Sequence, residues 1–319
     1  MNSLTNKSFF KPKIIATVVG IGALFFTLYG NEKDGPISLG AKWLHQCTVS
    51  SITSEWQHCL IVPFIIAWLM YRKRAELRYD LVIAKGTKSG LIFVLLSLIL
   101  YFFGFLANLH YLGYFSLQCL LLSLAIWFFG WQFSFKYSFF WWFSWFVWPF
   151  YFLGRMIGLP LRHLMTSLAE VCLSILQLNP VREGTAIYSA ADPLKGLVKG
   201  ELYEAEVAVA CSGLRSLFAL MMISALFGYF RASKAKWQWI YFLSSIPMAV
   251  IGNCVRIVLI VLATVWFGEE FAVGTHSEIH GESPSAFHLF AGYFVFIINI
   301  AGLILIEKFS QSKGKQNIK

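Results

Sequence analysis

The sequence is poor in charged residues, which make up only 13% of its 319 residues. Soluble domains carry about 25% charged residues, so a water-soluble fold of this length would lack polar groups for its surface. Hydrophobic residues make up 58% of the chain instead, and they collect in runs long enough for membrane helices. The composition therefore excludes an ordinary soluble domain and indicates an integral membrane protein.

The sequence also lacks patterns that mark other classes of protein. Its six cysteines form no C-x-x-C pair and no zinc spacing, which argues against a redox motif or a zinc module. No A-x-A cleavage site follows the first apolar run at 14–29, so we expect a retained helix rather than a signal peptide. Cys47 and Cys59 share one predicted outer loop, where a disulfide and two unrelated thiols both remain open.

The net charge of +10 does not indicate nucleic-acid binding, because the basic residues form no continuous stripe. They lie in short clusters between apolar runs, as the positive-inside rule expects of cytoplasmic loops. The clusters are Lys7/Lys11/Lys13, Arg72/Lys73/Arg74/Arg78/Lys85/Lys88, Arg231/Lys234/Lys236 and Lys308/Lys313/Lys315/Lys319. We therefore expect a multi-pass protein of the cell inner membrane with both termini in the cytoplasm.

The apolar runs predict an all-α fold, a polytopic transmembrane helical bundle of about eight spans with a small extracytoplasmic cap segment. The predicted spans are 13–30, 59–71, 91–109, 111–129, 139–153, 214–230, 239–267 and 287–306. We divide the chain into an N-terminal transmembrane region, 1–160, with about five spans, and a second region, 161–319, that carries the candidate site.

The longest predicted outer segment covers 154–210. Residues 162–178 have apolar residues at helical spacing, which predicts an amphipathic helix at the membrane surface. Residues 181–190 and 202–210 predict short extended segments joined by a turn around Asp192 and Pro193. We expect this segment to cap the outer mouth of the bundle.

Two arginines fall inside apolar runs, where a charge is costly and marks a functional candidate. Arg256 lies 11 residues before the predicted outer end at Phe267, about 16 Å by helix rise, so it needs a polar cavity or a partner. A structural ion pair remains an alternative for Arg256. Snorkelling to the outer interface remains an alternative for Arg215.

Cys211 and His288 begin two other predicted spans at the outer side. The helix dipole and Arg215, four residues further on, both favour a thiolate at Cys211. A thiolate, an imidazole and a guanidinium supply a nucleophile, a general acid or base and a charge for an oxyanion. Cys211, Arg256 and His288 are therefore the candidate catalytic residues.

A metal site is a weaker interpretation of the histidines in the last outer loop. His276 and His280 are four residues apart with Glu278 between them, a spacing that can bind zinc on a helix. They lie between Gly274 and Gly281, in a poor context for a helix, and the order is not H-E-x-x-H. A polar loop is the simpler prediction.

Three motifs resemble the signature regions of the exosortase/archaeosortase family. They are ACSGLRSL at 210–217, GNCVRI at 252–257 and HLFAGYFVF at 288–296, and the resemblance covers about 161–306. It implies a membrane cysteine peptidase or transpeptidase with Cys211, Arg256 and His288 as catalytic residues and no metal or organic cofactor. It also implies, as substrates, secreted proteins whose C-terminal sorting signal has a motif such as Pro-Glu-Pro, a transmembrane anchor and a basic tail.

The chain departs from this family pattern at two positions. Val209 stands where many members carry a glutamate, so Glu206 or Glu204 is the candidate replacement, and Cys254 is not expected in the arginine motif. Arg215, Asn253 and Glu206 are candidate supporting residues. A transporter or channel, in which Arg256 binds an anionic solute, and a non-catalytic assembly factor of an envelope polysaccharide system remain alternatives.

Overall fold

The computed structural model describes residues 20, 22–23, 27, 38–48, 56–149, 151–194, 196–206, 214–232, 234–277 and 281–316. The chain divides into two compact units, Met1–Phe150 and Tyr151–Lys319. The predicted division of roles between 1–160 and 161–319 stays a prediction. The predicted first span, 13–30, lies almost entirely outside the described residues.

The first unit is a group of packed helices. They are α1 (Leu39–Thr48), α2 (His58–Arg72), α3 (Arg74–Ile83), α4 (Ser89–Leu106), α5 (His110–Lys136) and α6 (Ser138–Phe143), followed by a 3₁₀ turn, Ser144–Val147. Its core includes Leu39, Tyr114, Leu120 and Trp148. Helices α4 and α5 approach so closely at Gly90 that a Cβ there would lie 2.4 Å from the Trp127 backbone nitrogen.

Helix α5 breaks near its end at Gly130, whose φ of 81° and ψ of 174° are not helical. A Cβ on Gly130 would lie 2.2 Å from the carbonyl oxygen of Lys85. Only glycine fits both this backbone conformation and this close approach.

Beyond the break, the carboxylate of Asp80 on α3 accepts hydrogen bonds from Lys136 and Tyr137, and these contacts lower the pKa of Asp80.

Residues 139–153 do not form the single span predicted for them. The chain forms α6 and the 3₁₀ turn, and the next helix begins at Tyr151 after Pro149. The side chain of Gln118 on α5 makes hydrogen bonds to both sides of this break. Its amide donates to the Trp141 carbonyl at 2.7 Å, a backbone group that a continuous helix would pair internally, and accepts from the Trp148 indole at 3.0 Å.

Cys47 lies near the end of α1, and Cys59 lies near the start of α2. Both side chains are fully buried, and both are free thiols. The structure holds the two residues as free thiols and so does not support the disulfide.

The second unit combines helices with two small sheets. Its elements are α7 (Tyr151–Ile175), β1 (Pro180–Glu183), β2 (Ala186–Ser189), β3 (Glu204–Glu206), α8 (Leu214–Arg231), α9 (Ala235–Phe267), α10 (Glu269–Ala272), β4 (Gly274–Ser277), β5 (Gly281–Pro284) and α11 (Ala286–Gln316). Its core includes Met165, Leu173, Leu220, Ile257 and Val295, which come from α7, α8, α9 and α11.

Helix α7 includes residues 162–175 of the predicted amphipathic helix; it starts 11 residues earlier, with Pro160 inside it, and ends three residues earlier. Met165, Ala169 and Leu173, four residues apart, are fully buried along one stripe. Leu164, Val171 and Ile175 on other faces are exposed, which suits contact with lipid or the membrane interface. The predicted position at the membrane surface stays a prediction.

The predicted extended segments form a three-stranded antiparallel sheet in the order β1-β2-β3. Strands β1 and β2 make a hairpin around Gly184, and the turn predicted at Asp192 is closed by its pairing with Leu197. The phenol of Tyr203 donates to the Leu178 carbonyl at 3.0 Å, and burial raises the pKa of Tyr203 to about 12. The phenol thus stays protonated and anchors β3 to the end of α7.

The last outer loop contains an antiparallel hairpin, β4–β5, where a polar loop was expected. His276 belongs to strand β4 and pairs with Glu282, so the helical zinc spacing does not exist at this position. His280 lies outside the described residues. Within the part of the chain that the structure describes, no group of three His, Cys, Asp or Glu residues could hold a metal ion.

Four of the described helices are long and apolar enough to cross a membrane: α4, α5, α9 and residues Ala286–Phe309 of α11. Helix α2 and residues Ser216–Arg231 of α8 are shorter apolar helices. The prediction of a helical membrane protein is confirmed, whereas the count of eight spans is not. Arg231 and Glu307 form an ion pair, which joins the ends of α8 and α11 that were both predicted to be cytoplasmic.

Candidate functional site

Two of the three candidate catalytic residues are in direct contact. Nη2 of Arg256 on α9 lies 2.8 Å from Nε2 of His288 on α11. Both side chains are half-buried. Cys211, the third candidate, lies outside the described residues, so its distance to this pair remains a prediction.

Close packing of α9 against α11 brings Arg256 to His288. At Gly252, one turn before Arg256, an added Cβ would lie 2.9 Å from Val295 Cγ1 and 3.0 Å from Val295 Cα. A Cβ on Gly292, one turn after His288, would lie 3.8 Å from the Arg256 guanidinium carbon. The side chain of Arg256 therefore passes over Gly292 of α11 and reaches the imidazole of His288.

Ser285 fixes the start of α11 and with it the position of His288. The Ser285 hydroxyl accepts a hydrogen bond from the His288 backbone N–H at 3.0 Å, as an N-cap residue does for the third residue of a helix. The same hydroxyl donates to the Ala272 carbonyl at 3.2 Å, and the Ser285 N–H donates to the Val273 carbonyl at 2.9 Å. Ser285 was missed in the sequence, although a serine three residues before His288 has the spacing of an N-cap.

The contact defines the protonation state of the imidazole. An arginine guanidinium can only donate, so Nε2 of His288 must accept, and the ring is neutral with its proton on Nδ1. Nδ1 of His288 and Nε of Arg256 are both buried without a hydrogen-bond partner among the described residues. The pair thus holds two further N–H donors ready for another group.

Arg256 has no carboxylate partner in the described ranges of the chain, so these ranges do not support the structural ion pair. A buried charge needs a compensating partner. The positive charge is therefore available to stabilise negative charge on a group that enters the site.

The candidate supporting residues lie on three elements. Asn253 on α9 is buried, and its amide nitrogen lies 2.9 Å from the sulfur of Met165, which links α9 to α7. Glu206 ends strand β3, and Arg215 is the second residue of α8. Their roles at the site stay predictions. Cys254, unexpected in its motif, lies with its sulfur 4.0 Å from that of Cys172 on α7, where both pack in the core.

In a comparison with protein families, a model described as transmembrane exosortase matches residues 49–305. The match includes the region with the three motifs and extends through most of the first unit, further than the resemblance at 161–306. A comparison with curated proteins finds no match, and a comparison with solved structures finds none either.

Proposed function

Because the chain belongs to the transmembrane exosortase family, we propose that it is a membrane cysteine peptidase or transpeptidase acting at the extracytoplasmic face of the inner membrane. Its substrates are exported proteins with a C-terminal sorting signal and a transmembrane anchor. The observation that supports this proposal most directly is the hydrogen bond between Arg256 and His288, which joins a cation and an acid–base group from two helices.

In the proposed first step, the thiol of Cys211 gives its proton to Nε2 of His288, and the sulfur bonds to the scissile carbonyl carbon. Nε2 then carries a proton and can no longer accept from Arg256. The freed Nη2–H, with the unpartnered Nε–H of Arg256, binds the oxyanion of the tetrahedral intermediate. The proton transfer that activates Cys211 therefore also frees the Arg256 N–H group that binds the oxyanion.

In the second step, the carbon–nitrogen bond breaks and His288 returns its proton to the departing amine. The anchor leaves, the substrate remains bound to Cys211 as a thioester, and Nε2 again accepts from Arg256. An acceptor amine or water then attacks the thioester and regenerates the thiol. Each proton that leaves Cys211 is thus delivered to the leaving group, and the cycle needs no external acid.

The central test compares native cells that produce the wild-type protein or Cys211→Ala. Quantitative proteomics of the envelope should show exported proteins that keep their C-terminal anchor only in the variant. Cys119→Ala, at a half-buried position of α5, is the matched control and should leave processing unchanged. Hydroxylamine added to the wild-type protein should release the substrate as a hydroxamate, as expected of a thioester.

Identical C-termini in wild-type and Cys211→Ala cells would refute the proposal. A transporter or an assembly factor would give that result, because neither requires the thiol as a nucleophile. A thiol-reactive probe gives an independent reading: stronger labelling of Cys211 than of the half-buried Cys119 is expected of an enzyme, whereas Cys47 and Cys59 are fully buried and should not react in either case.

A further inference from the structure

The two outer edges of the three-stranded sheet are built differently. Strand β1 begins with Pro180, and Arg182 on this strand forms an ion pair with Glu170 on α7 at 2.8 Å. Proline and paired charges are common ways of blocking an edge against further strands. Strand β3 has no proline or basic residue, and no strand within the described part of the chain pairs with its outer edge.

The hydrogen-bond register shows which groups face that open edge. The Ser189 N–H donates to the Tyr203 carbonyl at 3.0 Å and the Ser189 carbonyl accepts from the Gly200 N–H at 3.0 Å, so the backbone groups of Ser189 face the β3 side of β2. Antiparallel pairs alternate between hydrogen-bonded and non-hydrogen-bonded types. Glu204, opposite Tyr188, and Glu206, opposite Ala186, are therefore non-hydrogen-bonded positions. Their N–H and C=O groups point away from β2 towards the open edge.

The β1–β2 register supports the same assignment. The Ala190 N–H donates to the Asn179 carbonyl at 2.9 Å, so the backbone groups of Ala190 face β1. Tyr188 and Ala186 of β2 lie two and four residues before Ala190, so their backbone groups also face β1. They cannot also bind β3, and the backbone groups of Glu204 and Glu206 have no partner in β2. Of the three residues of β3, only Ala205 directs its backbone N–H and C=O groups towards β2. The side chain of Ala205 packs against the core.

This open edge lies next to the proposed chemistry. Strand β3 packs against α9, the helix that carries Arg256. Five peptide units separate Glu206 from Cys211, and an extended chain of that length spans at most about 17 Å. A polypeptide paired with the β3 edge is thereby held within a short reach of the proposed nucleophile.

We infer that the outer edge of β3 binds the extended segment of the substrate polypeptide that precedes its membrane anchor, adding it to the sheet as a fourth strand. This inference rests on the proposed function. The N–H and C=O groups of Glu204 and Glu206 hydrogen-bond to the substrate backbone and set its register relative to Cys211. The edge binds alternate backbone groups of the substrate, so it requires an extended substrate segment rather than a particular substrate side chain.

The first experiment uses a precursor that accumulates in Cys211→Ala cells. Glu204→Pro removes one outward N–H and leaves the ladder to β2 unchanged, whereas Glu204→Ala keeps the N–H. We expect Glu204→Pro to process the precursor about tenfold more slowly than Glu204→Ala. At the opposite edge, Arg182→Pro should equal Arg182→Ala. Equal rates for the two Glu204 variants would overturn the inference while the dependence on Cys211 stood.

The second experiment leaves the protein unaltered. A synthetic anchored peptide with the precursor's sequence around its cleavage site is presented to the purified wild-type protein in vesicles, with single backbone amides replaced by esters. The cleavage rate should fall when the ester replaces an amide at every second position N-terminal to the anchor, and it should stay unchanged at the positions between. The reason is that only alternate residues of the peptide face β3. A loss without this period of two would overturn the inference. A lower melting temperature of Glu204→Pro with a wild-type cleavage rate would show that the protein's own chain covers this edge.

Discussion

The hydrogen bond between Arg256 and His288 requires a donor of fixed shape. A guanidinium presents several N–H groups in one plane, so it can hold Nε2 of His288 through Nη2 and still direct Nε–H elsewhere. A lysine ammonium is a compact charge on a flexible stem and cannot make both contacts from one position. The side chain at 256 therefore supplies geometry as well as charge.

From this geometry we expect Arg256→Lys to lower the rate of processing by about 10²–10³-fold, the loss typical of removing one oxyanion donor. The measurement is single-turnover cleavage of the precursor by purified protein. Arg231→Lys is the matched control and should keep the wild-type rate, because Arg231 is an exposed arginine at the C-terminal end of α8 that pairs with Glu307. A lysine variant as fast as wild type would show that charge alone is sufficient.

The sequence predicted these two residues but not the atoms that join them. Arg256 is identifiable because an arginine inside an apolar run is costly, and His288 because it begins a span at the predicted outer side. Their contact depends on the glycines at 252 and 292, which let α9 and α11 approach, and on the cap at Ser285. Tertiary packing of this kind leaves no periodic signal in the sequence.

At the level of elements, Gly252 sets the distance between α9 and α11. We expect Gly252→Ala to destabilise the protein by about 1–3 kcal/mol, because the new methyl group meets the backbone of Val295. The reduced stability appears as a lower melting temperature in detergent, and processing should slow as Arg256 moves away from His288.

Gly292→Ala is the matched control for that substitution. It adds the same methyl group to the same interface, where its nearest neighbour is the Arg256 guanidinium carbon at an ordinary contact distance of 3.8 Å. Its melting temperature should equal or exceed that of the wild type, since alanine favours a helix over glycine. If both variants melted alike, the close contact at Gly252 would not determine the spacing of the helices.

Elements of regular length and pattern were the ones that sequence predicted well. The helices α4, α5, α9 and α11 coincide with long apolar runs, β2 and β3 lie within the expected extended segments, and β1 starts one residue before its segment. Residues 139–153 are as apolar as a span, yet the chain breaks there because Gln118 and Pro149 change the local hydrogen bonding. Strands β4 and β5 consist of the residues GTHS and GESP, which include few of the β-branched and aromatic residues typical of strands.

For the whole molecule, the orientation in the membrane decides which compartment contains the site. The structure joins groups that the predicted topology places on one side: Gln46 of α1 lies 3.2 Å from His110 at the start of α5, both predicted to be extracytoplasmic. Lys136, at the other end of α5, pairs with Asp80 in the predicted cytoplasmic segment. Both contacts lie within the first unit, and each agrees there with the alternation inferred from the basic clusters.

We therefore expect opposite labelling of two exposed positions, each replaced by cysteine in a Cys211→Ala background. Leu194, 99% exposed in the segment predicted to be extracytoplasmic, and Tyr79, 68% exposed in α3, are suitable sites. A membrane-impermeant maleimide should label Leu194→Cys in intact spheroplasts and Tyr79→Cys only after permeabilisation. The background variant without added cysteines is the control. The reverse pattern would place the site that includes Arg256 and His288 on the cytoplasmic side, where an exported substrate could not meet it.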